Sequence, residues 1–335
     1  MNNNLGSIYR SSSAIFAFFI IFFANYAQAA LSPFQSFVGN VGLSTDGFGS
    51  TTESGIISAS VPAGSTVLAA YLYSATNTSS TIPTVQLDGT SVTFGPAVPN
   101  ATACCNLRSY RSDVTSIVKS TIESGPGGIY DFSVSESGLL TNQIDGEALV
   151  IVYENAALPN ASVGLLDGFA SVTGDSTSIN FASPLAPTSA GFFAEMSLGI
   201  SFSCCSQRST VNVNGQLLTQ NAGNNDDSSD ASLSNGNLIT VGGFEDTIFS
   251  SNPSYSDDSE YYDLTAFIDD GDTSIVVDTV NASQDDNIFF AGFYVSGEAG
   301  FNAPPPDSTP VTAPPVIALF GVTMCMFLRR GRKEK

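Results

Sequence analysis

Two pairs of adjacent cysteines are the residues whose type and spacing most directly suggest chemistry. They are Cys104-Cys105 and Cys204-Cys205. Because the chain ends described below predict export to an oxidising compartment, we expect these thiols to form disulfides. Two cross-links in either pairing, or two vicinal bonds, are the possible connectivities. We expect the pairs to lie close together and tie two halves of the chain. The C-x-x-C spacing of redox sites is missing.

Acidic segments are the second feature that suggests chemistry. They are Asp226–Asp230, Asp257–Glu260, Asp269–Asp272 and Asp285–Asn287. Calcium binds six to eight oxygens from carboxylates and carbonyls, which such loops supply. We select Asp257, Asp258, Asp285 and Asp286 as candidate calcium ligands, because uncompensated charge beside the buried strand expected after Asp286 would be costly. No segment has the EF-hand spacing, so acidic loops that only face solvent are the alternative.

Composition excludes several classes of function. The 335 residues include no histidine and no tryptophan. Catalysis by Ser-His-Asp or Cys-His and zinc bound by histidine are therefore excluded. Residues 30–312 hold four of the ten basic residues and 30 of the 31 acidic ones, a net charge of −26. Such a surface repels nucleic acid. Hydrolysis by a pair of carboxylates is the catalytic class left open, and we predict that the chain is not an enzyme.

The N-terminus has the three parts of a secretory signal peptide. One cation, Arg10, precedes the 11-residue apolar run Ala14–Ala24. That run is too short to span a bilayer. Small residues at Ala27 and Ala29 suit signal peptidase, so we predict cleavage after Ala29.

The C-terminus has the pattern of a membrane-sorting tail. A Pro-rich linker, residues 301–312, leads into an apolar stretch that begins at Ala313 and ends at Leu328. Basic residues follow at once, including Arg329 and Arg330. Positive residues after an apolar helix remain in the cytoplasm, which predicts a transmembrane segment with the preceding domain outside the cell.

This tail resembles the PEP-CTERM sorting signal of Gram-negative bacterial surface proteins. The resemblance covers about 25 residues, with a proline motif, a short apolar helix and an arginine-rich end. Ala313, Pro314 and Pro315 stand where that family has Pro-Glu-Pro, so the glutamate is missing. The resemblance implies processing by an exosortase-like enzyme. It also implies export to the cell surface or medium, with anchoring in the inner membrane before processing.

Between these ends, the pattern is typical of β-strands joined by tight turns. The apolar or alternating runs are Thr66–Ser74, Ala148–Tyr153, Ser274–Val280 and Ile288–Val295. The expected turns are Asp88-Gly89, Asp145-Gly146, Asn214-Gly215 and Asp270-Gly271. One short helix is predicted over Asp113–Glu123, with Asp113 as its N-cap.

An internal duplication divides this β region. Thr84–Gly89 parallels Thr210–Gly215, and Asp113-Val114-Thr115 parallels Asp263-Leu264-Thr265. Arg108 and Arg208, each shortly after a cysteine pair, suggest further symmetry. The fold class we predict is all-β, with two jelly-roll-like β-sandwich halves, residues 30–175 and 176–300. Residues 1–29 precede them as the signal peptide. The linker and the sorting tail, residues 313–335, follow.

These patterns favour an exported, non-catalytic structural or adhesive protein of the cell envelope or biofilm matrix. Calcium and the disulfides are expected to stabilise it, and the C-terminal helix is expected to place it in the membrane. A polysaccharide-binding module is the first alternative, which an exposed row of Tyr and Phe on one sheet face would favour. A secreted hydrolase that uses paired carboxylates is the second. Phrases such as Tyr262–Ile268 also resemble a poorly characterised β domain of microbial surface proteins, a likeness that implies no activity.

Overall fold

The protein is all-β, with many antiparallel strands and one short α-helix, as the sequence predicts. The structure, a computed structural model, describes the chain in nine stretches. They are residues 30–49, 53–76, 82–98, 108–137, 144–171, 174–201, 209–222, 261–281 and 287–306.

The strands form two units of similar order, preceded and followed by one further strand each. Strand β1 spans Ser32–Gly39. The first unit contains β2 (Val41–Gly49), β3 (Ser54–Val61), β4 (Thr66–Thr76), β5 (Val85–Leu87), β6 (Thr90–Ser91), β7 (Arg108–Asp113), helix α1 (Thr115–Ser124), β8 (Gly128–Glu136) and β9 (Ile144–Glu154). The second unit contains β10 (Ala161–Asp167), β11 (Asp175–Phe181), β12 (Ala194–Ser201), β13 (Ser209–Val213), β14 (Gln216–Ala222), β15 (Tyr261–Asp263), a 3₁₀ turn (Thr265–Phe267), β16 (Ser274–Asn281) and β17 (Asn287–Ser296). Strand β18 spans Ala299–Phe301.

Four sheets are stacked in the order 1, 2, 3, 4. Sheet 1 has the strand order β3-β8-β5-β6, and sheet 2 has β2-β9-β4-β7. Sheet 3 has the order β1-β10-β17-β12-β15, and sheet 4 has β14-β13-β16-β11-β18. A first core lies between sheets 1 and 2, and a second core lies between sheets 3 and 4. A middle core, built from Val150, Val163, Phe289 and similar residues, joins sheets 2 and 3.

The middle core explains why the longest apolar runs do not alternate. In β9, Leu149 and Ile151 face the first core, while Ala148, Val150 and Val152 face the middle core. The strand is therefore covered on both sides, and strands covered on both sides read as continuous hydrophobic runs. The four predicted runs are confirmed as β4, β9, β16 and β17.

The strand pairings repeat from one unit to the next. The order β2-β9-β4-β7 of sheet 2 recurs in sheet 3 as β10-β17-β12-β15. The order β3-β8-β5-β6 of sheet 1 recurs in sheet 4 as β11-β16-β13-β14. The turns Asp88-Gly89 and Asn214-Gly215 close equivalent hairpins, with positive φ at all four residues. Asn and Asp before Gly tolerate this left-handed conformation, which two-residue hairpins require.

The strand pairings mark where the chain passes from one unit to the next. Strand β10 ends at Asp167, yet it pairs with β17 in sheet 3. Strand β1 pairs with β10 in the same sheet, and its Phe34 and Phe37 pack against the middle core. The chain leaves the first unit after Glu154, because β9 is the last strand that pairs within sheet 2. Pairing partners distant in sequence decide this boundary.

Two local predictions were wrong in detail. Asp145-Gly146 forms no turn, because both residues lie within β9, where β4 pairs with Gly146 and then with Ile144 across a bulge. Helix α1 begins at Thr115 with Val114 as N-cap, rather than at Asp113. The Asp113 carboxylate instead accepts a hydrogen bond from the Thr115 N–H at 2.9 Å. Asp263 accepts the equivalent bond from Thr265 at 2.8 Å. In both units an aspartate carboxylate thus accepts a hydrogen bond from the backbone N–H two residues further on, the pattern of an Asx turn.

None of the helices in the nine described stretches is long and apolar enough to cross a membrane.

Candidate functional site

The site residues chosen from the sequence lie outside the described stretches. These are Cys104, Cys105, Cys204, Cys205, Asp257, Asp258, Asp285, Asp286, Ala27, Ala29, Ala313, Pro314, Pro315, Arg329 and Arg330. Their disulfide, calcium, cleavage and sorting roles stay predictions. Within the described residues, no group of three or more His, Cys, Asp or Glu could hold a metal ion.

The cysteine pairs do not occupy equivalent places in the duplicated unit. Cys104-Cys105 precede β7, whose equivalent in the second unit is β15. Cys204-Cys205 precede β13, whose equivalent is β5. The symmetry that Arg108 and Arg208 suggest is therefore not the symmetry of the fold.

A cluster of polar side chains lies in the first core, at the end where β4 stops at Thr76. Ser74 donates a hydrogen bond to Glu147 Oε1 at 3.1 Å, and both residues are fully buried. Tyr110 pairs with Ser74 on its other side, so the three side chains form a row across sheet 2. The Phe94 ring lies 6.5 Å from the Tyr110 ring and packs against the first core, which places Tyr110 on the same face.

A second row extends the cluster beyond the first. Thr76 follows Ser74 by two residues and so lies on the same face of β4. Arg108 is the strand partner of Thr76. Glu136 ends β8 on the facing sheet, two residues after Val134, which lies in the first core. We call these six residues, Ser74, Thr76, Arg108, Tyr110, Glu136 and Glu147, the polar cluster.

The sequence contains one signal for this cluster that pattern reasoning missed. Glu147 stands directly before the apolar run Ala148–Tyr153. A glutamate directly before such a run, in a strand that is buried on both faces, is a candidate buried charge. Charged groups are almost never fully buried unless they are paired.

A second polar group, centred on Arg111 and Asp167, joins the two units. Asp167 is nearly fully buried and forms an ion pair with Arg111 of the other unit. Tyr73 donates a hydrogen bond to Asp167 Oδ2 at 3.4 Å. The Arg111 guanidinium carbon lies 3.9 Å from the centre of the Phe34 ring on β1. This arrangement fixes sheet 2 against sheet 3 and has the character of a structural contact.

A third group lies at the other end of the interface between the units. Burial raises the pKa of Glu195, the hydrogen bond from Tyr261 lowers it, and the charge of Asp263 raises it. Burial also raises the pKa of Tyr153 to about 12, and the charge of Glu195 adds to that rise. Tyr294 has its pKa raised mainly by burial, with further contributions from Tyr153 and Glu195.

We expect replacement of Glu195 by glutamine to reduce the loss of folding stability that occurs as the pH rises. A carboxyl whose folded-state pKa lies above its ordinary value stabilises the fold most below that ordinary value, 4.5 for Glu195, and this contribution is lost as pH rises. Glutamine keeps an acceptor for Tyr261 without the charge. The melting temperature at pH 7 should therefore rise by about 2–4 °C relative to wild type, with little change at pH 4. Calorimetry at both pH values tests this, and equal shifts at both would contradict it.

Exposed aromatic side chains do not form a row on any described sheet face. The large hydrophobic residues that are exposed in the described stretches are Val38, Ile56, Leu68, Ile129 and Leu217, and all five are aliphatic. An aromatic platform for sugar stacking is therefore missing from these faces. A shallow cleft of about 530 Å³ lies in the second unit, beside the segments that follow β11 and β17. Its lining residues include Pro184, Phe192 and Glu298.

Comparison with known protein families finds none that matches this chain. Comparison with curated proteins also finds no match.

Proposed function

We propose that the protein is exported and acts at the cell surface or in the biofilm matrix as a structural and adhesive component. The observation that carries this proposal is the middle core, which packs the two units against each other along sheets 2 and 3. A stack with three continuous cores suits a surface element that must resist mechanical force. The net charge of −26 between residues 30 and 312 favours solubility outside the cell. Nucleic acid is not among the partners we propose.

We infer that each unit is a jelly-roll-like β-sandwich. Eight strands in two four-stranded antiparallel sheets, facing each other over one core, support this assignment for both units. Jelly rolls occur in proteins with many different activities, so the fold alone does not show whether a protein is an enzyme. The non-catalytic function rests on composition instead.

The proposed anchoring agrees with the direction in which the chain leaves the second unit. Strand β18 pairs Ala299 with Phe181, at the end of sheet 4 where β11 stops. The Pro304 carbonyl lies against Gly300, so the chain folds back over β18 after Asn302. This exit lies opposite the strand ends where β17 begins beside Ser201, the last residue of β12.

Processing and cofactors complete the proposal. Signal peptidase would remove residues 1–29, and an exosortase-like enzyme would process the tail that begins at Ala313. Calcium would bind at Asp257, Asp258, Asp285 and Asp286, where oxygen ligands are dense in the sequence. Disulfides at the two cysteine pairs would stabilise the exported chain.

Polysaccharide binding is the second function we consider, and the polar cluster is the observation that favours it. Buried hydroxyl and carboxylate groups on one face match the alternating donors and acceptors of a sugar ring. The missing aromatic row weighs against binding along a sheet face.

A display assay on intact cells tests the surface function. We expect the full chain, expressed in a Gram-negative host, to be digested by added protease and to make the cells adhere to matrix-coated surfaces. Deletion of residues 313–335 should lower the cell-bound fraction at least tenfold and move the chain to the medium. Lys119→Ala, a change outside the tail, serves as the matched control. Addition of EDTA should reduce adhesion if calcium is bound, since ligands stabilise the state that binds them.

Two results would contradict the surface function. The first is a full chain that stays in the cytoplasm with residues 1–29 attached. The second is adhesion that does not differ between cells with and without the chain.

A further inference from the structure

The cleft in the second unit lies between two segments that follow strand ends. One wall belongs to residues 182–193, which join β11 to β12, and the other to the turn between β17 and β18, where Glu298 lies. Pro159, Pro184 and Phe192 give the lining an apolar surface. Ligand sites typically have volumes of about 300–1,000 Å³. The volume of this cleft, about 530 Å³, is therefore sufficient for a short peptide segment.

The wall formed by residues 182–193 is held in place by the rest of the second unit. Leu185 is buried in the second core. Its N–H donates to the Asp272 carbonyl at 2.7 Å, and its carbonyl accepts from the Gly271 N–H at 2.9 Å. Nearer β12, Phe192 donates its N–H to the Ser189 carbonyl at 3.1 Å, which closes a turn. The cleft is therefore a formed part of the fold.

The first unit has neither this wall nor a strand equivalent to β18 among its described residues. Strands β3 and β4, the equivalents of β11 and β12, are joined by the four residues 62–65, where the second unit has twelve. The outer edge of β3 is met by side chains of β2. Ser58 donates its N–H to Asp46 Oδ2 at 2.5 Å, and Ser60 donates to Ser44 Oγ at 3.0 Å. In the second unit, β18 pairs with the corresponding edge of β11.

After β18 the chain turns back toward the cleft. Asn302 has a left-handed conformation, with φ of 50°, and donates its N–H to the Ser178 carbonyl at 2.7 Å. The next contact lies two residues further along β11, where the Asn180 side chain donates to the Ala303 carbonyl at 2.9 Å. The chain therefore runs along β11 toward residue 182, at which the wall of the cleft begins.

Pro304 continues this path over β18. Its carbonyl lies where a side chain at position 300 would be, so only Gly300 allows this approach. Glu298, at the rim of the cleft, stands two residues from Gly300 along β18 and its preceding turn. An extended chain advances about 3.1–3.3 Å per residue, which brings Pro306 to the level of Glu298. The chain is thus directed at the cleft where its linker begins.

We propose that this cleft binds the chain's own Pro-rich linker, through residues 307–312. The proposal rests on the proposed surface function, because this segment leads to the sorting tail. Proline-rich segments bind grooves lined by aromatic residues with little loss of conformational entropy, since proline already restricts them to an extended form. Phe192, Pro159 and Pro184 supply a surface of this kind. The bound linker fixes the second unit close to the start of the tail at Ala313.

Two observations favour the linker over a separate partner as the occupant. The wall and β18 occur together in the unit from which the linker leaves, and the path from Asn302 to Pro304 leads to the cleft. A segment attached this close has an effective concentration of about a millimolar, so contacts too weak to hold a separate peptide are sufficient.

A single tryptophan in the linker tests the proposal, because the chain contains no other tryptophan. The full chain with Thr309→Trp is purified in detergent, and quenching of its fluorescence by acrylamide is measured. We expect the tryptophan to be quenched severalfold less efficiently than in a free peptide of residues 307–312 that carries the same substitution.

Two further substitutions, each combined with Thr309→Trp, should raise the quenching to the value of the peptide. Ala190→Phe fills the cleft from an exposed position in its lining, so the fold should tolerate it. Gly300→Ala displaces the Pro304 carbonyl and so redirects the chain before the linker. Ala266→Phe is the matched control, because it makes the same change as Ala190→Phe at an exposed residue outside the cleft. It should leave the quenching unchanged.

Two outcomes would overturn the proposal. One is a tryptophan that acrylamide quenches as efficiently in the full chain as in the peptide. The other is a protected tryptophan that neither Ala190→Phe nor Gly300→Ala exposes, since detergent would then be the cause of the protection. The display assay separates this failure from failure of the surface function. A chain that is displayed and adhesive, with a freely quenched tryptophan, would retain the surface function without the bound linker.

Discussion

Replacement of Phe290 by alanine is expected to lower the free energy of unfolding by about 3–5 kcal/mol. Phe290 is fully buried in the middle core, and its ring centre lies 5.1 Å from that of Tyr73 in the other unit. Truncation removes aromatic contacts and leaves a cavity between sheets 2 and 3. The neighbouring strands are held by pairing on both sides, which limits how far they can close over the cavity.

The same variant should also reduce the cooperativity of unfolding. If the middle core couples the two units, its loss should separate their transitions, so that calorimetry records two peaks or a broadened one. Leu217→Ala is the control, because Leu217 is 55% exposed and should change stability by less than about 0.5 kcal/mol. A single sharp transition with a change below about 1 kcal/mol would show that the middle core does not couple the units.

Removal of the Arg111 side chain is expected to lower the free energy of unfolding by about 3 kcal/mol. Breaking a buried ion pair costs roughly 3–5 kcal/mol, because the remaining charge stays buried without compensation. The lower end of this range applies, since the Arg111 side chain is 31% exposed while that of Asp167 is 7% exposed. Arg111→Ala also removes the contact of the guanidinium with the Phe34 ring, which fixes β1 over β7.

A double-mutant cycle with Asp167→Ala isolates the interaction of the two side chains. We expect Arg111→Ala to cost more than Arg111→Lys, because lysine keeps the charge but loses the planar donor fork. Lys119→Ala provides the comparison. Lys119 pairs with Glu123 one turn along α1 at 3.2 Å, at the surface, and such pairs contribute about 0.3–0.5 kcal/mol. If Arg111→Ala and Lys119→Ala lower the free energy of unfolding equally in urea denaturation, the Arg111–Asp167 pair does not have the stabilising role described.

Predictions from local patterns succeeded where short-range physics decides the structure. The four apolar runs became β4, β9, β16 and β17, because β-branched and aromatic residues suit strands whatever lies beside them. Asp88-Gly89 and Asn214-Gly215 formed hairpin turns because those residues tolerate positive φ. Asp145-Gly146 has the same composition but lies in β9. Pairing with β2 and β4 outweighs its turn preference there.

What the sequence by itself determined is the all-β class, the strands and turns set by local patterns, and the net charge of −26 between residues 30 and 312. Each follows from residue types or from spacings within one strand or hairpin. The tertiary structure alone decided that β1 and β10 belong to sheet 3, that a middle core unites the units, and that Glu147 lies beside Ser74. These depend on contacts between residues far apart in the sequence, such as the pairing of Ser32 with Asp167 and the packing of Tyr73 on Phe290. A run of apolar residues indicates that both faces of a strand are buried, but it does not indicate which strands cover those faces.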